Sequence, residues 1–545
     1  MGAGRLIAFE GVDGAGKSTV LRRVAEHLQA RGERVYLPRT GKEHASRPTR
    51  GIRALTRDRR NLDLSARAEL LLYCAREAQL LHELIRPALA RGETVLIDRS
   101  MLTPVALGMA RGLPQAQCEA VARLASEGLE PELTLVFSVH PRTSRLRKRI
   151  EKVRTATTQE GARKGLAGSG LKVRLRDAYG RLAEQYGHPL LFCERVTPDE
   201  LAQRVIAVVE GASVEEAGQT DDDAVPRWRV PPEWSLQQAL GSLDDASALV
   251  LSRGLIAARE LRARAFDGEP ELAAWGMDPE DPLRERAASH PRTRARALSG
   301  LSRRPIEGEH DVRLRLLPEE PDAALAALRH QDEPAIDALR ERYAELARDG
   351  VLQSLVGRED AFAEELRERC WKGADDRARA TSLRFCGGRR AWKLREKLLE
   401  RNPVAALTSL RGLTDEHATG LLEDYAERAP RVVLDVLGSR DDRRAHTLRE
   451  RLWDTGKEVV DSLRGLDDDF AWKVREAFLQ AHPSTVAHSL QRLDPDDDRV
   501  KDMRARCTEA GAGDLYLLRR LQRLDEFPTL PEWARQRTVD ETDED

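Results

Sequence analysis

Two patterns of apolar and polar residues divide the chain near residue 211. Up to that point, short apolar runs alternate with longer stretches whose apolar residues recur every three to four positions. Helices such as Ala66–Leu89 are predicted between the apolar runs. This alternation predicts an α/β domain over residues 1–211, with a parallel sheet covered by helices. The predicted strands are Leu6–Glu10, Arg34–Leu37, Thr94–Ile97, Leu133–Val139 and Leu190–Phe192.

Beyond residue 226 the spacing of apolar residues is helical, and a short motif recurs. The motif is Leu-Arg-Glu, with Val in place of Leu at its last occurrence, and its intervals of 56, 27, 28, 54 and 26 residues give a period of about 27. Its occurrences begin at Leu283, Leu339, Leu366, Leu394, Leu448 and Val474. Helix breakers recur with about the same period, at Pro403, Pro430, Gly456 and Pro483. Each unit therefore predicts a longer helix, a break, a shorter helix and a polar turn.

One pair of helices of this size cannot bury its apolar face alone, so neighbouring units have to stack. Residues 227–528 are therefore predicted to form an all-α helical-repeat solenoid, similar in architecture to short HEAT-like repeats. Concave faces of such arrays usually bind proteins, which predicts a protein partner, and structural support or dimer formation is the alternative. Residues 212–226 are acidic and poor in large apolar side chains, which predicts a flexible linker. Residues 529–545 are predicted to be an acidic tail.

Charge separates the same two parts of the chain. Residues 1–211 carry 36 Lys and Arg against 24 Asp and Glu, whereas the remainder carries 54 against 68. A basic N-terminal domain suits a polyphosphate ligand. The six cysteines include no Cys-x-x-Cys pair, which indicates reduced thiols and neither disulfides nor a zinc site. Without a signal peptide or an apolar stretch of 18 residues, a cytoplasmic protein with no membrane contact is expected.

The chemistry is concentrated in residues 9–19, Phe-Glu-Gly-Val-Asp-Gly-Ala-Gly-Lys-Ser-Thr. They contain G-x-x-x-x-G-K-[ST] between an apolar strand and a helical pattern, the context that a phosphate-binding loop needs. Glycines let the backbone aim its N–H groups at phosphate oxygens, and the helix N-terminus adds positive potential. Lys17 would reach the β and γ phosphates, and the Ser18 hydroxyl would hold Mg²⁺. The residues predicted to bind ATP are Gly11, Gly14, Ala15, Gly16, Lys17, Ser18 and Thr19.

The N-terminal domain resembles the thymidylate kinases, a family of P-loop nucleoside monophosphate kinases. Besides the loop, the resemblance rests on four stretches in the family's order, which are residues 38–41, 68–76, 85–99 and 131–135. It implies an α/β P-loop kinase domain that transfers the γ-phosphoryl of ATP to a (deoxy)nucleoside monophosphate, with dTMP as the default acceptor and Mg²⁺ as the metal. It also implies a possible homodimer, an interface that the added helical region could block or replace.

The resemblance also implies roles for single residues. Asp98, at the end of the third strand, would hold a water on Mg²⁺. Arg99 and Arg39 would clamp the acceptor phosphate, because a guanidinium matches phosphate geometry bidentately. Asp13 would contact the acceptor sugar, and Tyr73 would stack on its base. The structural alternatives are a helix cap for Asp98, surface ion pairs for the two arginines and a core position for Tyr73.

A cationic segment follows the fourth strand. Residues 142–181 hold 13 Lys and Arg against 3 Asp and Glu, with glycines at 161, 165, 168 and 170. This composition predicts a lid that closes over the triphosphate, with Arg147 and Arg149 as candidate catalytic residues. A solvated charged helix is one alternative. A nucleic-acid-binding patch is another, which the lack of interleaved aromatic residues disfavours.

Several residues depart from the family's pattern. Ser100 takes the third place of its Asp-Arg-Tyr motif, and Leu107 and Gly108 replace a tyrosine and a glutamine. Glu77 falls where the base-reading arginine is expected, and Arg76, the candidate acceptor-binding arginine, is displaced by one residue, about 100° around a helix. ATP binding is therefore predicted, whereas base recognition is open. A nucleotide-sensing or regulatory protein that binds partners through the solenoid, and a polynucleotide end kinase or binder, are the alternative functions.

Overall fold

The computed structural model describes residues 4–38, 46–155, 163–278, 281–301, 309–438 and 440–526. They belong to two compact units. The first comprises residues 1–148 and 160–229, and the second comprises residues 149–159 and 230–545.

Five parallel strands form the sheet of the first unit, in the order β2-β3-β1-β4-β5. The strands are β1 Arg5–Gly11, β2 Val35–Tyr36, β3 Thr94–Asp98, β4 Leu133–Ser138 and β5 Leu190–Phe192. Phe9 in the middle strand pairs with Asp98 on one side and with Leu135 on the other. Because the strands are parallel, their carboxyl ends meet at one edge of the sheet. The predicted parallel α/β class is confirmed, and no strand end is shifted by more than one residue.

Helices cover both faces of this sheet, and the apolar side chains of Ile7, Phe9, Leu96 and Phe137 are buried between them. The helices are α1 Lys17–Ala30, α2 Arg47–Arg57, α3 Ala66–Leu80, α4 Arg86–Ala90, α5 Leu102–Ala110, α6 Gln115–Ser126, α7 Pro141–Arg154, α8 Gly168–Tyr186 and α9 Pro198–Val209. A π-turn at Leu81–Ile85 joins α3 to α4. It precedes Pro87, which has no N–H to donate to the preceding turn, so the predicted long helix changes its hydrogen bonding there.

Residues 212–226, expected from their composition to be a flexible linker, are instead held against the first unit. The side-chain amide of Gln219 donates to the carbonyl of Leu190 at 2.9 Å and accepts from the N–H of Phe192 at 2.9 Å. Asp223 forms an ion pair of 2.7 Å with Arg204. Side-chain amide and carboxylate contacts therefore fix this stretch beside β5 although it has few apolar residues.

The second unit is built from helices alone in its described residues. They are α10 Leu236–Gly241, α11 Asp245–Leu251, α12 Arg259–Ala265, α13 Pro270–Trp275, α14 Leu283–Ser289, α15 Arg294–Leu301, α16 Glu309–Leu316, α17 Pro321–Ala326, α18 Pro334–Tyr343, α19 Arg348–Ser354, α20 Ala361–Trp371, α21 Asp376–Ser382, α22 Arg389–Arg401, α23 Pro403–Thr408, α24 Glu416–Tyr425, α25 Pro430–Val436, α26 Arg443–Arg451, α27 Lys457–Asp461, α28 Asp469–Phe478, α29 Pro483–Ser489, α30 Asp498–Ala510 and α31 Leu515–Glu526. The sequence signals mark helix starts, since α23, α25 and α29 begin at the predicted prolines and Gly456 precedes α27.

The odd-numbered helices from α11 to α31, called the inner helices here, each pack against the next inner helix in turn. They are deeply covered, and all seven residues of α29 are buried. The last helix of the second unit also packs against its first. Helix α10 packs against α31, and the N–H of Val230 donates to the carbonyl of Gly513 at 2.8 Å. The helices of the second unit therefore form a closed ring.

The arginine of the recurring Leu-Arg-Glu motif joins neighbouring inner helices. Arg449, on α26, is fully buried. Its guanidinium donates to the carbonyl of Leu437 at 2.8 Å, at the end of the preceding inner helix, and to the hydroxyl of Ser462 at 3.0 Å, at the end of the following one. The motif arginines Arg340, Arg367, Arg395 and Arg475 are buried and make the same pair of contacts, except that Arg367 contacts the carbonyl of its serine. This repeated contact explains the motif, because a buried guanidinium needs acceptors on several sides.

Candidate functional site

The loop between β1 and α1 has the backbone of a phosphate cradle. Gly11, Gly14 and Gly16 have φ angles of 119°, 79° and 94°, which favour glycine. A Cβ on Gly11 would lie 2.1 Å from the carbonyl oxygen of Phe137, so only glycine fits there. Helix α1 begins after Gly16 without a side-chain cap, and its first N–H groups are therefore left for a ligand.

Lys17 lies beneath this loop. Its side chain is 6% exposed, and its ammonium donates to the carbonyls of Gly11 at 3.1 Å and Val12 at 2.9 Å. Burial first, and then the positive charge of Arg99, lower the pKa of Lys17 to about 8. The site therefore holds a desolvated cation that an anionic ligand would stabilise.

Ser18 and Asp98 form the part of the site that suits a metal ion. The Ser18 hydroxyl donates to Oδ2 of Asp98 at 2.7 Å. The other carboxylate oxygen, Oδ1 of Asp98, is buried and has no hydrogen-bond partner. Hydroxyl and carboxylate oxygens are the ligands that Mg²⁺ prefers, and a buried carboxylate oxygen without a partner needs a cation or a water. These residues therefore fit Mg²⁺.

Arg99 and Asp13 are ion-paired at the mouth of the loop. Lys148, from α7, approaches the same carboxylate at 3.0 Å. Although burial acts in the opposite direction, Arg99, Lys148 and Lys17 hold the pKa of Asp13 well below its usual value. Arg99 also has a φ of 82°, and its N–H donates to the carbonyl of Phe9 at 3.0 Å. A non-glycine residue in this conformation stores strain, which is typical of functional sites.

A buried carboxylate organises the turn that follows β3. Glu10 is fully buried and accepts from the N–H and the hydroxyl of Ser100 at 2.6 and 2.9 Å. It also accepts from the Thr103 hydroxyl at 2.6 Å and from the Tyr179 hydroxyl at 3.1 Å. Tyr179 in turn accepts from the guanidinium of Arg99 at 3.1 Å. The carboxylate therefore fixes Arg99 through its neighbours. The sequence did not identify Glu10 or Tyr179, although it marked Ser100, which Glu10 binds, as a departure from the family's pattern.

The predicted acceptor side brings Tyr73, Arg76 and Glu77 together on α3. Tyr73 is 7% exposed, with the guanidinium of Arg76 at 5.1 Å and the ammonium of Lys164 at 4.4 Å from its ring centre. Arg76 forms a buried ion pair with Glu77. Burial raises the pKa of Glu77, and Arg76 opposes that rise. Arg39, the second predicted phosphate clamp, lies outside the described residues.

The two candidate arginines of α7 have different surroundings. Arg147 donates to the carbonyls of Gly14 at 3.2 Å and Cys193 at 2.6 Å, so it borders the loop. Arg149 lies over the ring of Trp275 at 5.6 Å, within the second unit. Ser144, Arg147 and Lys148 of α7 contact the loop. Spacings of three and four place these three on one face of the helix, from which Arg149 is rotated. Lys148 therefore borders the loop beside Arg147, and the sequence did not identify it.

A parallel sheet with a Gly-rich loop before α1, and with an Asp-Arg pair after the neighbouring strand, defines a P-loop kinase. The family model for thymidylate kinase matches residues 9–165. A thymidylate kinase of Chlorobaculum parvum is 33% identical over 218 residues, which are 39% of this chain and 99% of that protein. One of Nitratidesulfovibrio vulgaris is 37% identical over 209 residues, 37% of this chain and 94% of that protein.

The chain therefore belongs to the thymidylate kinase family, and it is a nucleoside monophosphate kinase. The family match ends at residue 165, before α10, the first of the helices between residues 230 and 526. Among the residues that the structure describes, no helix combines the length and apolar character needed to cross a membrane.

Proposed function

We propose that this protein transfers the γ-phosphoryl group of ATP to the phosphate of dTMP. The observation that carries the proposal is the convergence of Lys17, Ser18, Asp98 and Arg99 at the carboxyl edge of the sheet. Phosphoryl transfer requires little covalent chemistry from the protein, because positioning and charge neutralisation supply most of the catalysis. A buried lysine, a carboxylate suited to a metal ion and an arginine held in place by a network provide both.

On the donor side, the loop's N–H groups and Lys17 would bind the β and γ phosphates of ATP. Ser18 and Asp98 would hold Mg²⁺, which supplies positive charge beside the transferring group. Arg147 and Lys148 border the loop on α7 and would add cationic charge there. Arg149 carries no role in this proposal, because its side chain lies over Trp275.

On the acceptor side, Arg99 would clamp the acceptor phosphate, together with Arg39. Asp13 would accept from the sugar, and Tyr73 would stack on the base. Arg76 reaches the base side although it is displaced by one residue from the family's position, since its guanidinium lies against Tyr73. Glu77 is not an isolated anion there, because Arg76 is bound to its carboxylate. A base with carbonyl acceptors, such as thymine, suits this arrangement.

The test is a coupled assay of ADP release with Mg·ATP across dTMP, dUMP, dCMP, dAMP, dGMP and the ribonucleotides. We expect the highest kcat/KM for dTMP, with loss of turnover in Lys17→Ala and wild-type turnover in Lys152→Ala, which changes an exposed lysine. Faster turnover of another acceptor would replace dTMP in the proposal. No turnover with any acceptor, in a protein that binds ATP, would reject kinase activity.

A nucleotide-sensing role is the second candidate, and the helical second unit favours it, because phosphoryl transfer to a mononucleotide does not require such a unit. Under this hypothesis, the second unit is a HEAT-like array that binds a protein partner in the cytoplasm, and ATP bound to the first unit controls that binding. Capture of the same partners with and without ATP, by wild type and by Lys17→Ala, tests it. Binding that is indifferent to ATP in both would reject the sensor. Sedimentation of the purified chain tests the further expectation of a homodimer.

A further inference from the structure

The ring of Tyr73, on which the acceptor base is proposed to stack, is covered by two cationic side chains. The guanidinium carbon of Arg76 lies 5.1 Å from the centre of the ring, and the ammonium nitrogen of Lys164 lies 4.4 Å from it. Tyr73 is only 7% exposed. A base that stacks on this ring therefore has to displace part of its cover, and the displaced cation stays within reach of the base.

Arg76 is held in place by a second residue of α3. Its Nε donates to Oε1 of Glu77 at 3.0 Å, and one of its terminal nitrogens donates to the same oxygen. Both members of this ion pair are buried. Separating a buried ion pair is costly, because it leaves an uncompensated charge. Arg76 is therefore expected to stay on Glu77 when a base binds.

Lys164 is the cation that can move. It is half-buried, and among the residues that the structure describes its ammonium forms no ion pair and no hydrogen bond besides the contact with the ring. An ammonium carries three N–H donors on a flexible stem. These donors are therefore available to a ligand that stacks on Tyr73.

The backbone at Lys164 is fixed by the preceding residue. Arg163 and Lys164 begin a short 3-10 helix, Arg163–Ala167. Arg163 is buried and forms an ion pair of 2.7 Å with Glu69, a carboxylate that is 1% exposed. Glu69 and Tyr73 are four residues apart on α3 and therefore lie on one face of that helix. The ion pair of Arg163 thus places Lys164 beside Tyr73, one turn further along α3.

The departures from the family's pattern leave few donors for the base. Glu77, which stands where a base-reading arginine is expected, is an acid. On α5, Leu107 has no donor in its side chain, and Gly108 has no side chain. A Cβ on Gly108 would lie 2.6 Å from Sγ of Cys118, so this position faces α6. A donor for the base has to come from another element, and the 3-10 helix supplies Lys164.

We propose that Lys164 determines the specificity for the acceptor base, because its ammonium donates to the O4 carbonyl of a thymine stacked on Tyr73. An ammonium can only donate. Thymine has an acceptor at this position, whereas cytosine has an amino group, which is a donor. The same lysine therefore selects thymine and disfavours cytosine. This role rests on the proposed function, since it places the acceptor base on Tyr73, and it adds the residue that chooses the base.

The experiment is titration calorimetry of the full-length protein with dTMP, dCMP and thymidine. The wild type is expected to bind dTMP more tightly than dCMP. In Lys164→Met, which keeps an unbranched side chain without its charge, affinity for dTMP and thymidine should fall about tenfold, because one charge-assisted hydrogen bond is lost. Affinity for dCMP should not fall. Lys164→Arg retains a donor and should keep the preference for dTMP. Lys152→Met changes an exposed lysine on α7 and should bind all three ligands like the wild type.

Four outcomes would overturn this role of Lys164. They are no binding of dTMP to the wild type, an equal loss for dTMP and dCMP in Lys164→Met, a loss for dTMP without one for thymidine, which would indicate a phosphate contact, and an equal change in Lys152→Met.

A further variant covers the case in which Lys164→Met does not fold. The amide of Lys164→Gln both donates and accepts, so dTMP and dCMP should bind it with nearly equal affinity. A preference for dTMP retained there would also overturn the role. The titrations do not depend on turnover. A protein that turns over no acceptor, but loses its preference for dTMP in Lys164→Met, would reject kinase activity and keep Lys164 as the base-selecting residue.

Discussion

Ser18 and Asp98 are 80 residues apart in the sequence, and the hydroxyl oxygen of Ser18 lies 2.7 Å from Oδ2 of Asp98. The contact joins the first turn of α1 to the end of β3, directly beside the buried ammonium of Lys17. Because Oδ1 of Asp98 has no other partner, the pair presents two oxygens toward the place where a cation would meet the triphosphate. The pair therefore brings a hydroxyl of α1 and a carboxylate of β3 together at one edge of the sheet.

Removing the charge of Asp98 should abolish most of the turnover. In Asp98→Asn the amide keeps the size of the side chain but loses the anionic oxygen that suits Mg²⁺, and we expect kcat to fall about 100-fold or more. Steady-state ADP release with saturating Mg·ATP and dTMP measures the effect. Asp177→Asn changes an exposed carboxylate on α8 and should retain wild-type turnover. A fall of less than tenfold in Asp98→Asn would argue against the metal site.

The pKa of Lys17 predicts how ATP use depends on pH. With a pKa of about 8, caused by burial and by Arg99, the ammonium is charged below that pH and neutral above it. The charged form binds phosphate, so kcat/KM for ATP should be constant below about pH 7 and should fall about tenfold per pH unit above 8. A pH profile of kcat/KM, which reports the free enzyme, measures this decline. In Lys17→Arg, whose guanidinium stays charged, any remaining activity should not decline above pH 8. A wild-type profile of kcat/KM that is flat to pH 9.5 would contradict the assignment of the decline to Lys17.

The hydroxyl of Tyr179 should contribute to binding of the acceptor and not to binding of ATP. Tyr179→Phe keeps the buried ring but removes the hydroxyl that links Glu10 to Arg99, so the guanidinium loses one of its anchors. We expect KM for dTMP to rise about three- to tenfold, with KM for ATP unchanged, because one hydrogen bond contributes roughly 1 kcal/mol. Initial-rate kinetics in which ATP and dTMP are varied separately measure the two KM values. Tyr186→Phe, on the same helix but exposed, should leave both constants unchanged.

A motif arginine of the ring should matter for stability. In Arg449→Leu the carbonyls of Leu437 and Arg440 and the hydroxyl of Ser462 lose a buried donor. Unsatisfied buried groups cost about 1 to 3 kcal/mol each, so we expect the free energy of unfolding of the second unit to fall by about 2 to 4 kcal/mol. Urea denaturation followed by helical circular dichroism measures it. The matched change Arg443→Leu affects an exposed arginine of the same helix, and an equal shift there would show that the buried contacts contribute little.

The sequence predicted the parts of the fold that depend on local signals. The phosphate-binding loop, the five strands and the helix starts at Pro403, Pro430 and Pro483 follow from glycine, apolar runs and proline, each of which acts on its own neighbourhood. Asp468 caps α28, because its carboxylate accepts from the N–H of Ala471 at 2.8 Å.

Features that depend on long-range placement were not predictable in the same way. The sequence predicts Arg147 and Arg149 as lid arginines, but it does not reveal how α7 is rotated against the loop, and so it did not identify Lys148, which contacts Asp13. The Leu-Arg-Glu motif was recognised as a repeat, but a surface position is the usual one for arginine, so its burial needs the structure. Closure of the ring arises from a small rotation between each helix pair and the next, which no single repeat encodes.

Closure of the second unit also limits how its length can change. An open array of repeats can gain or lose a unit at either end, provided that a polar unit covers the exposed face. In this ring α10 packs against α31, so among the described helices neither end is left open for a further unit. Insertion or deletion of one helix pair would force every remaining interface to a new angle. The number of units is therefore set by the geometry of closure.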